Sequence, residues 1–348
     1  MQQRLPLRSA SGASWARWET VRCPICSPRQ AGRQPPRRLR YCVRDWNFGT
    51  EGEFRLQECE GCGLVLLDPR PTAEEMKKFY PATYPAHVRE PESHAGVARR
   101  SLVPERLKEY ARALGLGYPW PGRSWREPMW ARMGWGLGRG WARRVMRARL
   151  LPDYVVGGRV LDVGCGRGDY LRGLQRLGWQ VQGLDVSELA VRTAQAQGIP
   201  AAQGELLTTG MCWPAASFDV ITFMDSFEHH GEPRGTLAEA RRLLRRKGQL
   251  LVLAPNFASP WRRLFGAHWA DLAAPLHLFH YTPETLTRLV RAEGFEVEGV
   301  YRRRDAEIAR SLHIWKRTRG QKPTAPVRGW ADWLVGRGHC LLRARVAG

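Results

Sequence analysis

The clearest hydrophobic rhythm lies in the second half of the chain, where short apolar runs alternate with longer stretches of mixed polarity. Residues 160–163 (Val-Leu-Asp-Val) read as a buried strand, and a helix follows Gly164, Gly166 and Gly168. Residues 180–185 form a second run that ends in Asp185, and residues 199–203 a third that closes on Gly204 and Glu205. Between them Leu189, Val191 and Ala194 belong to a helix. Residues 217–224 read as a fourth strand ending at Asp225. Residues 233–244 read as a helix whose closing Arg245, Arg246 and Lys247 suit the negative end of its dipole. Residues 249–254 give a fifth strand, Gly294-Phe295 precede a sixth, and residues 337–345 suit a last one. Short strands alternating with helices predict an α/β domain with helices on both faces of a mainly parallel sheet, binding its ligands beyond the strand ends.

The glycines change this picture from architecture to chemistry. Gly164, Gly166 and Gly168 stand at alternate positions just behind Asp162, and a tight turn without Cβ atoms lets backbone lie against a flat ligand. The dinucleotide fingerprint needs G-x-G-x-x-G, so G-x-G-x-G points to another nucleoside ligand. Asp185, 17 residues past Gly168, is placed where a carboxylate can accept hydrogen bonds from both hydroxyls of a ribose. The pattern D-x-G-x-G-x-G resembles motif I of the class I S-adenosylmethionine-dependent methyltransferases. That resemblance implies a Rossmann-like sheet of seven strands, the last antiparallel, and S-adenosylmethionine held by Asp162, Gly164, Gly166, Gly168 and Asp185. It also implies an acid, Glu205, at the adenine amino group. Residues 225–230 should then border donor and acceptor, with Asp225 on the donor.

Nearer the N-terminus, after a loose tail over residues 1–20, come Cys23-Pro-Ile-Cys26 and, after 32 intervening residues, Cys59-Glu-Gly-Cys62. Two such knuckles can surround one Zn²⁺ with four thiolates, and a closed set of protein ligands makes the metal structural. The remaining cysteines, Cys42, Cys165, Cys212 and Cys340, read as buried small hydrophobes. Residues 64–67 form a strand leading into a turn at residues 68–71, and Thr72 with Glu75 suggests a capped helix start. The succession C-x-x-C, C-x-x-C-G-L, D-P-R-P and Tyr80-Pro-x-x-Tyr84 resembles the zinc-binding region fused to bacterial methyltransferases of sugar, polysaccharide and secondary-metabolite pathways. A zinc ribbon over residues 21–85, a connector over 86–152 and a methyltransferase domain over 153–348 are the expected modules.

In the connector Trp120, Trp125, Trp130 and Trp135 recur every five residues, a spacing that does not keep one helical face, so they read as packing between modules. Residues 137–151 read as an amphipathic helix. The whole chain carries 55 basic and 33 acidic residues, a formal charge of +22, which suits nucleic acid, anionic lipid or a phosphate-bearing substrate. The excess of arginine over lysine is equally what coding bias produces. No run approaches the 18 apolar residues of a membrane helix and no apolar leader core is present, so the chain is expected to be cytoplasmic, with peripheral membrane contact left open.

Methyl transfer from a sulfonium needs an aligned nucleophile and a base for its proton. His229, His230, His277 and His280 follow the fourth and fifth strands, and His229 and His277 are the leading candidates because they fall in the E-H and H-L-x-H motifs of the resembling family. Asp225-x-x-Glu228-His229 also resembles the E-x-x-E-H element of quinone-pathway O-methyltransferases, where a divalent ion has been associated with it. A small-molecule or sugar-type acceptor is the first reading. A ribosomal or transfer RNA acceptor is the alternative, since zinc-ribbon RNA methyltransferases join similar parts, although the N-P-P-[FY] of base-methylating enzymes is missing after the fourth strand.

Overall fold

A computed structural model describes residues 17–26, 35–81, 84, 105–119, 140, 142–143, 145–303, 307–319 and 338–347. Trp120, Trp125, Trp130 and Trp135, and residues 137–139, 141 and 144 of the helix expected over residues 137–151, lie outside these. The described residues 142–143 and 145–147 of that segment are helical.

Strands β2 (Arg37–Val43), β3 (Phe54–Cys59) and β4 (Val65–Leu67) form an antiparallel meander whose β3–β4 turn carries the second cysteine knuckle. Its core side follows from alternation, with Phe54 and Leu56 of β3 buried. The sheet is completed by β11 (Phe279–His280), which pairs with β4 through Phe279 opposite Leu66 and His280 opposite Val65. The strands flanking the second knuckle thus share a sheet with the H-L-x-H segment. Trp18–Glu19, within the expected tail, is β1 and pairs with β5 (Arg70–Pro71). Thr72 does precede the short helix Ala73–Met76, but its side chain makes no capping bond. Cys42 and Cys212 are exposed, against expectation; Cys42 points outward from β2 at the edge of its sheet.

The larger sheet has seven strands in the order β12-β13-β10-β9-β6-β7-β8. These are β6 (Arg159–Val163), β7 (Gln180–Asp185), β8 (Ala201–Gln203), β9 (Phe218–Met224), β10 (Leu244–Pro255), β12 (Phe295–Arg303) and β13 (His339–Val346). The chain is therefore an α/β protein with a Rossmann-like mixed sheet flanked by helices, and β6 pairs in parallel with β7 and β9. β9 is buried along nearly its whole length, as a central parallel strand must be, which is why its sequence is apolar without alternation. β10 begins five residues earlier than the apolar run suggested, so Arg245, Arg246 and Lys247 open a strand and do not close the helix Pro233–Leu243. The reason is lateral: the Arg245 guanidinium bonds both carboxylate oxygens of Asp219 at 2.8 Å.

Among the described residues the chain forms two compact units. One comprises Met1–Tyr84, Asp225–Ala238 and Val252–Leu342; the other comprises Pro85–Met224, Glu239–Leu251 and Arg343–Gly348. No helix of the described residues is long and apolar enough to cross a membrane.

Candidate functional site

In the second unit the glycine loop leaves β6 with Gly164, Gly166 and Gly168 all at positive φ, where a Cβ atom would strain the backbone. Gly168 is also tight in space, because an added Cβ would stand 3.2 Å from both Ala194 and Ile199. The loop is tied to the neighbouring strand by bonds from Gly164 N–H and Cys165 N–H to the Leu184 carbonyl, at 2.7 and 3.1 Å. Asp185 completes the fastening: its Oδ2 accepts from Gly166 N–H at 2.8 Å and its Oδ1 from Ser187 N–H at 2.9 Å. Gly204 N–H bonds the Asp185 carbonyl at 2.9 Å, which places Glu205 one residue beyond, exposed at the start of the helix Leu206–Thr209.

Asp162 is placed differently from Asp185. It is 1% exposed and accepts a 2.6 Å hydrogen bond from the Thr222 hydroxyl of β9. Burial pushes its carboxyl up to about 7, opposed by Thr222 and assisted by the charge of Asp185, so the two acids stand close enough to feel one another. The folded group therefore holds its proton to about 7, while an unfolded aspartate releases it near about 4. The stability it contributes is full below the lower value and is lost as pH rises through the upper one. Asp162→Asn is expected to remove that slope, so urea unfolding should show the variant gaining on the wild type between pH 5 and pH 8. A constant difference across that range would mean that Asp162 ionises normally.

In the first unit the chain past β9 turns at Asp225, whose φ of +54° is unusual for a residue with a side chain. The 3₁₀ turn Phe227–His229 then sets Glu228 and His229 against the segment before β11. Leu278 N–H bonds the Glu228 carbonyl at 2.9 Å, and the rings of His229 and His277 meet edge to face at 4.8 Å. His229 Nδ1 lies 2.9 Å from the Leu276 carbonyl and His277 Nδ1 lies 2.9 Å from that of Asp271. A carbonyl only accepts, so each proton sits on Nδ1 and each Nε2 is an acceptor. Glu228 is 1% exposed, both its carboxyl oxygens are without a hydrogen-bond partner among the described residues, and His277 Nε2 stands 3.9 Å from Oε1. Burial drives the two groups in opposite directions, the Glu228 carboxyl well up and the His277 imidazole well down, so both favour their neutral forms. His230 and His280 are likewise pushed down, to about 4 and about 3, by burial.

Two residues of this cluster carried no signal as site residues. Tyr80, from the segment after β5, brings its hydroxyl within 3.2 Å of His229 Nδ1. His339, the first residue of β13, sets Nε2 3.1 Å from Asp225 Oδ1. Tyr80 was legible only as part of the Tyr-Pro-x-x-Tyr pattern, and His339 belongs to no motif at all.

Two groups could hold metal. Cys23, Cys26, Cys59 and Cys62 bring their sulfurs within 4.8 Å of one another, as do the ligand atoms of Glu228, His229 and His277. Among the thiols Cys23 is held down to about 5 by the hydrogen bond from Cys62, whose own thiol is pushed up in return.

Comparison with known proteins finds methyltransferases. A family described as "Methyltransferase domain" matches residues 134–300. The chain is 30% identical to the ubiquinone biosynthesis O-methyltransferase of Thiobacillus denitrificans over 155 residues, 41% of this chain and 67% of that protein. It is 27% identical to the demethylmenaquinone methyltransferase of Thermotoga maritima over 190 residues, 47% of this chain and 80% of that protein. Several of the curated relatives, among them the O-methyltransferase of Aromatoleum aromaticum at 65%, are covered over about two thirds of their length. A solved S-adenosylmethionine-dependent methyltransferase from Archaeoglobus fulgidus is similar at 17% identity and a TM-score of 0.42, covering 62% of this chain and 98% of that one.

Proposed function

This chain belongs to the class I S-adenosylmethionine-dependent methyltransferases, and we propose that it transfers a methyl group from S-adenosylmethionine to a hydroxyl of a small-molecule acceptor. The observation that carries the reading is the fastening of the glycine loop by Asp185, in which a strand-end carboxylate holds Gly166 N–H beside a turn of three positive-φ glycines. When bound, the donor supplies an activated sulfonium methyl. The residues proposed for it are Gly164, Gly166, Gly168 and Asp185 directly, Glu205 at the base, Asp225 beyond β9, and Asp162 from behind the loop. The hydroxyl acceptor is supported by relatives whose names specify O-methylation.

On the acceptor side His229 is proposed as the base. The Leu276 carbonyl keeps the proton on Nδ1, which orients Nε2 as the atom that takes the acceptor's proton. His277, the other candidate base, is lowered by burial and so favours its neutral form. It is proposed to face Glu228 as a neutral partner and to keep the His229 ring in its edge-on position. The mutual proximity of Glu228, His229 and His277 favours a second reading, in which a divalent ion held there orients the acceptor oxygen. Zn²⁺ is proposed for the four cysteines, because sulfurs this close suit tetrahedral coordination with Zn–S of about 2.3 Å. With four protein ligands that metal has no open position and holds the knuckles together.

The test is methyl incorporation from tritium-labelled donor into a fractionated bacterial extract, with MgCl₂ added or withheld. Label in the small-molecule fraction is expected. Label confined to RNA would overturn the small-molecule acceptor, and dependence on magnesium would promote the second reading over proton transfer to His229 alone.

A further inference from the structure

Three arginines among the described residues are buried, and two of them hold an acid: Arg70 bonds Glu19 at 2.7 Å and Arg343 bonds Asp153 at 2.8 Å. The third, Arg262 of the helix Pro260–Phe265, is 7% exposed and forms no ion pair with any described Asp or Glu. Its Nε donates to the Phe257 carbonyl at 2.9 Å and its Nη1 to the Tyr41 hydroxyl of β2 at 2.7 Å, while the guanidinium lies over the Phe257 ring, 4.5 Å from the centroid. These neutral partners fix the group in place and orientation but do not offset its charge, and a buried charge without a counter-ion is costly. Nη2 makes no hydrogen bond among the described residues, and it is not sealed from solvent as the partnerless indole nitrogen of Trp261 is. The half-buried Tyr41 accepts from Arg262 through its hydroxyl oxygen and so keeps its own proton to donate. That hydroxyl is 2.7 Å from the same guanidinium, so both donors are within reach of one oxyanion.

We propose that Arg262, together with the Tyr41 hydroxyl, binds an oxyanion of the acceptor, a carboxylate or a phosphate, at the end remote from the hydroxyl that receives the methyl group. Assigning the anion to an acceptor rests on the methyltransferase reading. A guanidinium presents its donors in a planar fork that matches such an anion, and the charge makes those hydrogen bonds strong. A run of rings joins the two ends of the site: Phe257 meets His280 at 5.5 Å, His280 meets His277 at 6.4 Å, and His277 meets His229 at 4.8 Å. All of these residues belong to the first unit.

Titration of the full chain with phenyl phosphate and with benzoate, followed by ligand-detected NMR at constant ionic strength, tests the site, with benzyl alcohol as the uncharged control. Wild type is expected to bind at least one of the anions, and the preferred one identifies the oxyanion. Arg262→Met is expected to weaken that anion at least about tenfold, as loss of a charge-assisted hydrogen bond implies, and to leave benzyl alcohol within about twofold. Tyr41→Phe is expected to weaken the anion about threefold. Arg263→Met removes an exposed neighbouring charge and should stay within about twofold of wild type, because a solvated charge adds little. The product labelled from tritiated donor in extract should be retained by an anion exchanger at neutral pH.

No anion bound by wild type, equal losses in Arg262→Met and Arg263→Met, or equal losses for the anion and benzyl alcohol would each overturn the site. Should Arg262→Met fail to fold, Tyr41→Phe and Arg263→Met carry the comparison. A labelled product that passes the exchanger unretained would overturn the assignment of the anion to the acceptor. Wild type that binds a probe, yet binds no S-adenosylhomocysteine and incorporates no label, would overturn the methyltransferase reading and the link to an acceptor while the anion site itself stands.

Discussion

Asp185→Ala is expected to weaken S-adenosylhomocysteine binding by at least about tenfold, through lost charge-assisted hydrogen bonds to the ribose. The structure makes the loss larger than a ligand contact alone. Asp185 also anchors Gly166 N–H and Ser187 N–H, so its removal frees the loop that is proposed to lie against the donor. A buried N–H left without a partner costs on the order of 1–3 kcal/mol, so the unfolding midpoint in urea should fall as well. Asp185→Asn separates the two effects. Its single carbonyl oxygen can keep one of the two backbone bonds, so stability should recover more than affinity does. Calorimetry that finds the alanine variant binding S-adenosylhomocysteine as tightly as wild type would take Asp185 out of the donor site.

Cys59→Ser is expected to abolish zinc binding and to unfold much of the first unit. Cys59 is fully buried at the end of β3, and its carbonyl also receives the Cys62 and Gly63 amides that shape the knuckle. Structural zinc in small metal-dependent folds is worth about 10–16 kcal/mol at neutral pH, comparable to the roughly 5–15 kcal/mol that holds a whole domain. Because β11 of the H-L-x-H segment pairs with β4, the disturbance should reach His277 and His280. Metal analysis of the purified variant, with circular dichroism of its aromatic signal, reads both effects. A full zinc complement in Cys59→Ser would remove Cys59 from the metal site.

The contrast between these two variants shows where the sequence was legible. The strand, glycine turn and acid of the donor loop are read from residues adjacent along the chain, because turn geometry and period are local properties. The same holds for the paired C-x-x-C knuckles, whose sulfurs do converge. Local reasoning erred where a neighbour across the sheet decided the outcome. Arg245 looks like a helix end until Asp219 of the adjacent strand captures it, and Cys42 looks like a core residue until β2 is found at a sheet edge.

From its sequence alone the protein was already an α/β fold with a glycine turn behind its first large-sheet strand, two paired cysteine knuckles and histidines past two strand ends. Only the tertiary structure could show that Tyr80 reaches His229 across 149 residues, that Thr222 supports Asp162 across 60, and that His339 of the last strand meets Asp225. Such contacts depend on strand order and register, which arise from packing the whole chain and leave no trace in the spacing of any one segment.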